Sequence, residues 1–174
     1  MSDSRIPTAL YFLMLTLGVL QCARVYPQLP DVMASHFGSN GVANGWESKP
    51  FFFVLSAIAV GVSAIVAFLA PRLIASLPND RINLPNKSYW LSGEHREEAM
   101  CFLRAQMIWF GCGLLFVLLY ALSQAITANL REVHEFDTAN IWYVTGGFLI
   151  ATMAWTIHLV WHFSKAPQSD SSAR

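Results

Sequence analysis

Four stretches of the chain carry no charged residue: Ile6 to Ala23, Pro50 to Pro71, Ala105 to Leu130 and Thr138 to Ser164. Each is about 18 residues or longer, which at ~1.5 Å rise per residue crosses a hydrocarbon core of ~30 Å. A backbone in lipid must satisfy its own hydrogen bonds, and these runs lack period-two alternation, so they predict helices rather than barrel strands. The expectation is an all-α, polytopic membrane protein with four transmembrane helices over about 6–26, 50–75, 98–130 and 139–164. They form a single membrane domain, 1–166, with loops at 27–49 and 76–97 and a disordered tail at 167–174.

Charge orients this bundle. Arg5, Arg72, Arg81, Lys87, Arg96, Arg104, Lys165 and Arg174 fall on the side of the two termini and the second loop, against Arg24, Lys49 and Arg131 on the other. By the positive-inside rule both termini and loop 76–97 are cytoplasmic, the tail with them, and loop 27–49 faces outward. Apolar residues make up 55% of the chain and charged ones 13%, with a formal net charge of +0, so the bilayer is the expected partner and nucleic acid is not. The first apolar run exceeds a signal-peptide core of roughly 7–15 residues and lacks a small-x-small cleavage site, so it is expected to be retained. Cys22, Cys101 and Cys112 show neither pairing nor metal-ligand spacing and read as small packing residues.

Small residues mark where helices could approach closely. The second helix holds Ala57-x3-Gly61 and Ala59-x3-Ser63, the third Gly111 and Gly113, and the fourth Gly146 and Gly147. Gly61 in particular is expected at a close helix contact. Trp90, Trp109, Trp142, Trp161, Tyr11, Tyr26 and Tyr143 sit mostly near predicted helix ends, where rings suit the headgroup region. No charge lies mid-membrane, which points away from an ion pump or a proton-coupled transporter.

The outward loop holds the densest chemistry. Pro27 and Pro30 stop the first helix, and Gly38, Asn40-Gly41 and Asn44-Gly45 are turn formers, so the loop is expected to be compact. Asp31 and His36 lie close along the chain, Phe37 and Trp46 could rest on the bilayer surface, and Lys49-Pro50 suits a helix start. Asp31, His36, Asn40, Trp46 and Lys49 are the candidate ligand-binding residues; no catalytic residue and no cofactor is indicated.

Tyr-Pro-x-Leu-Pro-Asp at Tyr26 to Asp31, His-Phe-x-x-x-Gly at His36 to Gly41 and Asn-Gly-Trp-x-Ser-Lys at Asn44 to Lys49 resemble the signature of a family of bacterial membrane proteins, the domain-of-unknown-function 1648 family. Asn83-Leu84-Pro85-Asn86-Lys87-x-Tyr89-Trp90-Leu91 extends the resemblance into the second loop. This family is related to the N-terminal part of SdpI-type immunity proteins, which protect cells from a secreted killing factor and can participate in signalling. The resemblance implies a multi-helix protein of the bacterial cytoplasmic (inner) membrane and carries over no catalytic residue.

In the second loop, Leu77 to Asp80 and Leu84 to Asn86 read as turns, Tyr89-Trp90-Leu91 as interfacial, and Ser92 as the N-cap of a helix whose early acids Glu94 and Glu98 complement its dipole. His158 and His162, spaced i and i+4, are weak candidates for a metal. On the outer side His36 and His134, with Asp31, Glu132, Glu135 and Asp137, form another group that could meet a divalent cation or simply be solvated. Three functional classes follow. The first is a non-enzymatic accessory, sensor or immunity-like protein whose loop 26–49 binds an extracytoplasmic ligand or a membrane-protein partner. The alternatives are a small transporter or channel and a metal-dependent membrane enzyme.

Overall fold

The computed structural model describes residues 3–93, 95–131 and 138–165. Glu94, the acidic and histidine residues of 132–137, and the tail expectation at 167–174 lie outside them. Among the described residues the protein is mostly helical, with four helices long and apolar enough to cross a membrane. They are α1 (Arg5–Val25), α2 (Lys49–Ser76), α4 (His95–Asn129) and α5 (Thr138–Ser164), with a short α3 (Lys87–Trp90) in the second loop.

The segment between α1 and α2 departs from the expectation of a loop: Val32–Phe37 (β1) and Ala43–Ser48 (β2) pair as an antiparallel hairpin. A 3₁₀ turn, Tyr26–Gln28, carries Pro27 at its start, and Leu29 then turns extended, so the chain leaves α1 at once. Lys49 donates its amide to the Asp31 carbonyl at 2.8 Å, which closes the base of the hairpin where α2 begins.

At 35 residues, α4 is about 52 Å long, well beyond the hydrocarbon thickness of ~30 Å. It packs on α1, α2, α3, α5 and β1, and the core forms along it. Tyr11, Ala67, Ile108, Cys112 and Leu115 make one buried cluster, and Leu29, Met33, Phe52 and Ile126 make another beneath the hairpin. Tyr11, expected at the headgroups, is 1% exposed; its hydroxyl meets the Ser63 Oγ at 2.7 Å, and the Ser63 hydroxyl donates in turn to the Val60 carbonyl. The Cys112 thiol donates to the Pro7 carbonyl at 3.3 Å.

The close helix contact lies elsewhere than expected. A Cβ on Gly61 would meet nothing within 4 Å, whereas one on Gly111 would fall 2.4 Å from the Ala67 Cβ and 3.2 Å from its Cα. The stripe in use is therefore Ser63 and Ala67, both fully buried, seated on Gly111. The backbone of α2 widens there into a π segment, Ile65–Leu69, with the Ala70 amide reaching back to the Ile65 carbonyl. Pro71 accounts for this, since it has no amide to offer the Ala67 carbonyl and its ring crowds that turn. Gly146 and Gly147 also face open space. Instead of a close backbone approach, α5 meets α4 through rings: Phe110 stacks on Trp155 at 4.8 Å, and Phe148 occupies the space above Gly113.

Polar side chains hold the non-helical segments to this bundle. The Asn129 carboxamide accepts the Ala34 amide at 2.7 Å and donates to the Ala34 carbonyl at 2.9 Å, so the last residue of α4 pairs with β1 as a strand would. Asn129 is 4% exposed, and Met33 and Ala34 are fully buried beside it. At the other end Arg96 donates to the Ala75 and Leu77 carbonyls and to Asn79 Oδ1, capping the C-terminus of α2. Asn86, in the left-handed region at φ 49°, donates to the Phe163 and Ser164 carbonyls, and the Trp90 indole donates to Phe163 at 2.9 Å. Trp90 and Leu91 are thus buried rather than interfacial, because the second loop caps the last turn of α5. The Ser92 hydroxyl donates back to the Tyr89 carbonyl at 2.7 Å.

Two predictions follow from these contacts. Gly111→Leu should lower the stability of the detergent-solubilised protein by about 1–3 kcal/mol through overpacking against Ala67, while Gly61→Leu should leave the thermal midpoint unchanged; equal effects would place the contact elsewhere. Asn129→Leu should cost at least about 1–3 kcal/mol by leaving the Ala34 amide and carbonyl without partners. Hydrogen exchange should then speed at Ala34 while the middle of α4 stays protected, and unaltered exchange at Ala34 would refute the docking role.

Candidate functional site

The hairpin is irregular for a reason visible in its register. Ala34 pairs with Trp46 and His36 with Gly45, so β1 bulges at Ser35; Phe37 then pairs with Ala43, so β2 bulges at Asn44. The two extra residues restore the register between them. Asn44-Gly45, expected as a turn, lies within β2. Gly45 is required there because a Cβ would fall 2.8 Å from the His36 Cβ opposite it. The turn itself is Gly38 to Gly41: the Gly41 amide donates to the Gly38 carbonyl, Gly38 donates to Val42, and Gly41 takes φ 81°.

Each candidate side chain has a place on this frame. Asp31 and Lys49 come together at the base, where the Lys49 ammonium donates to the Leu29 carbonyl at 2.9 Å and stands 3.5 Å from the Asp31 carboxylate. Lys49 is only 14% exposed along its side chain and Asp31 fully exposed, so the pair is an asymmetric and weak one. Lys49 also lies over the Tyr26 ring, 4.9 Å from its centroid. Asn40 is at the tip, where its Oδ1 accepts the Val42 amide at 3.2 Å. His36 Nδ1–H donates to Asn44 Oδ1 across the strands, which leaves Nε2 for any further partner. Trp46 is 46% exposed on β2.

These five residues do not converge on one point. His36 alone among them lines a crevice of about 430 Å³ between the hairpin and the start of α5, with Ser35, Phe37, Ser39, Thr138 and Trp142 around it. The volume is within the range of small-ligand sites, about 300–1,000 Å³, and hydroxyls, an imidazole and an indole offer both polar and stacking contacts. Sequence reasoning missed Ser35, Ser39, Thr138 and Trp142, since nothing along the chain shows that residue 138 returns to the hairpin. It also missed Asn129; the one available signal was an amide side chain in the last turn of an uncharged helix.

On the opposite face, the His162 ring is sandwiched between Phe102, with centroids 3.6 Å apart, and Trp90, at 5.3 Å. His158 is exposed and contacts Phe102 at 6.0 Å. Among the described residues no group of three or more His, Cys, Asp or Glu side chains comes together in a way that could hold a metal ion.

Comparison with known proteins bears on the same stretch. Residues 12–60 match the model of a family described as Domain of unknown function (DUF1648). Neither the curated proteins nor the solved structures give a match. The matched stretch starts in α1, takes in the whole hairpin and ends within α2, so it covers the frame on which every candidate side chain sits. This helical chain, with four helices long and apolar enough to cross a membrane, is therefore similar to the DUF1648 family across its hairpin and parts of the two helices that flank it.

Proposed function

We propose that this is a non-enzymatic component of the bacterial cytoplasmic membrane, an accessory, sensor or immunity-like protein, whose hairpin faces outward and binds an extracytoplasmic ligand or a membrane-protein partner. The observation that carries the reading is the crevice at His36, open beside a hairpin that is held at its base by Lys49 and at its edge by Asn129. Binding costs less ordering entropy when the contact surface is already fixed, and functional residues concentrate on loops held by a rigid scaffold. The resemblance to the N-terminal part of SdpI-type immunity proteins agrees with this class of role. A transporter would ask for a broken helix; the irregular stretch inside α2, Ile65–Leu69, is accounted for by Pro71 and seats Ala67 on Gly111.

The orientation follows from the Lys and Arg distribution and has a direct check. On a cysteine-free background, a cysteine at Ser39 should react with an impermeant reagent in intact cells, and one at Ser88 should react only after the cells are opened. The reverse pattern would put the hairpin in the cytoplasm. For the site, His36→Ala should abolish rescue of a deletion phenotype at matched membrane abundance. Its stability cost should stay within about 1.5 kcal/mol, since only one exposed hydrogen bond is lost. Glu98→Gln should rescue fully. Rescue by His36→Ala together with failure of Glu98→Gln would move the site to the other face.

A further inference from the structure

Between α1 and α2, on the hairpin side of the bundle, lies a cleft of about 460 Å³ that the hairpin crevice does not touch. Leu15 and Tyr26 mark its ends on α1, Phe53 and Val60 its ends on α2, and Leu119 and Leu122 of α4 form the third wall. Eleven residues separate Leu15 from Tyr26, a rise of about 17 Å, which matches the ~15 Å of hydrocarbon in one leaflet. One helical turn beyond Leu15 and Val60, the bonded pair Tyr11 and Ser63 closes the deep end, with Phe68 edge-on to Tyr11 at 5.0 Å.

The mouth has the opposite character. Tyr26 contacts Phe53 at 5.2 Å, and Lys49, one turn before Phe53 on α2, stands over the Tyr26 ring. An ammonium has three N–H donors. One goes to the Leu29 carbonyl, and another points no nearer than 3.5 Å to a carboxylate that is wholly in water. A cation thus caps a slot that is apolar throughout its length and one leaflet deep. The lining hydroxyl of Ser56 is spent on the Phe52 carbonyl at 2.9 Å. A peptide lying in the slot would leave its backbone groups unmatched, whereas a hydrocarbon chain has none to match.

We propose that the slot holds one acyl chain of an anionic phospholipid from the hairpin-side leaflet, with the Lys49 ammonium meeting the headgroup phosphate. A zwitterionic lipid brings a cation of its own to the same place and loses that advantage. A bound chain would join α1 to α2 between the Tyr26–Phe53 contact at the rim and the Tyr11–Ser63 bond at the deep end.

Native mass spectrometry tests this on the full chain, purified in detergent and equilibrated with equimolar phosphatidylglycerol and phosphatidylcholine of identical chains. The wild type should retain one lipid per chain, with phosphatidylglycerol favoured about fivefold, the effect expected of one lysine near the surface. Lys49→Gln should bring the ratio close to one, and Lys49→Arg should keep it. Ala57→Trp, which fills the slot from α2, should remove the retained lipid of both kinds. Ala23→Trp repeats that test from α1 if the first variant melts early. Equal retention of the two lipids by the wild type, or a lipid still held by both tryptophan variants at an unchanged melting temperature, would overturn the proposal.

Discussion

Hydrocarbon supplies no water to a backbone that leaves its helix, and the architecture of this protein turns on how that deficit is met. At three places among the described residues where the chain is not helical or stops being so, a polar side chain from a distant part of the sequence takes over. Asn129 supplies both halves of a strand pairing to Ala34, Arg96 caps the end of α2, and Asn86 with Trp90 caps the end of α5. Two of these anchors stand at opposite ends of α4. Its length is therefore functional in the structural sense: a helix only as long as the bilayer is thick would not reach both the hairpin and the second loop.

The spans were legible because a charge-free run of that length has few physical alternatives. Which small residue packs was not legible, since Gly61 and Gly111 look alike in sequence and differ only in the face that meets a neighbour. The hairpin was hidden for a local reason. Bulges at Ser35 and Asn44 break the alternation that announces a strand, and Asn44-Gly45 imitates a turn while Gly45 makes room for His36. The true turn residues, Gly38 and Gly41, were readable as turn formers but not as the tip of paired strands.

The candidate residues tell a related story. Lys49, Asn40 and the backbone of Asp31 spend hydrogen bonds on building the hairpin, and Leu29 buries itself beneath it. Much of the motif by which the chain resembles the DUF1648 family is thus a description of a shape. His36 is the candidate that both belongs to that shape and borders open space, while its companions in the crevice come from α5, outside the matched stretch. The stretch that matches the family model supplies one wall of the crevice and the remainder of this chain supplies the other.

A two-stranded sheet has two outer edges, and each is a template on which another chain can lay a strand. The Asn129 amide already occupies the outer edge of β1 at Ala34. On β2 the extra residue at Asn44 interrupts the regular spacing of amides and carbonyls that an added strand would have to follow. With one edge plugged and the other out of step, an added strand from a second copy would find no regular template on either side. The bulges that disguise the strands in the sequence are also what take the exposed rhythm of amides and carbonyls out of step.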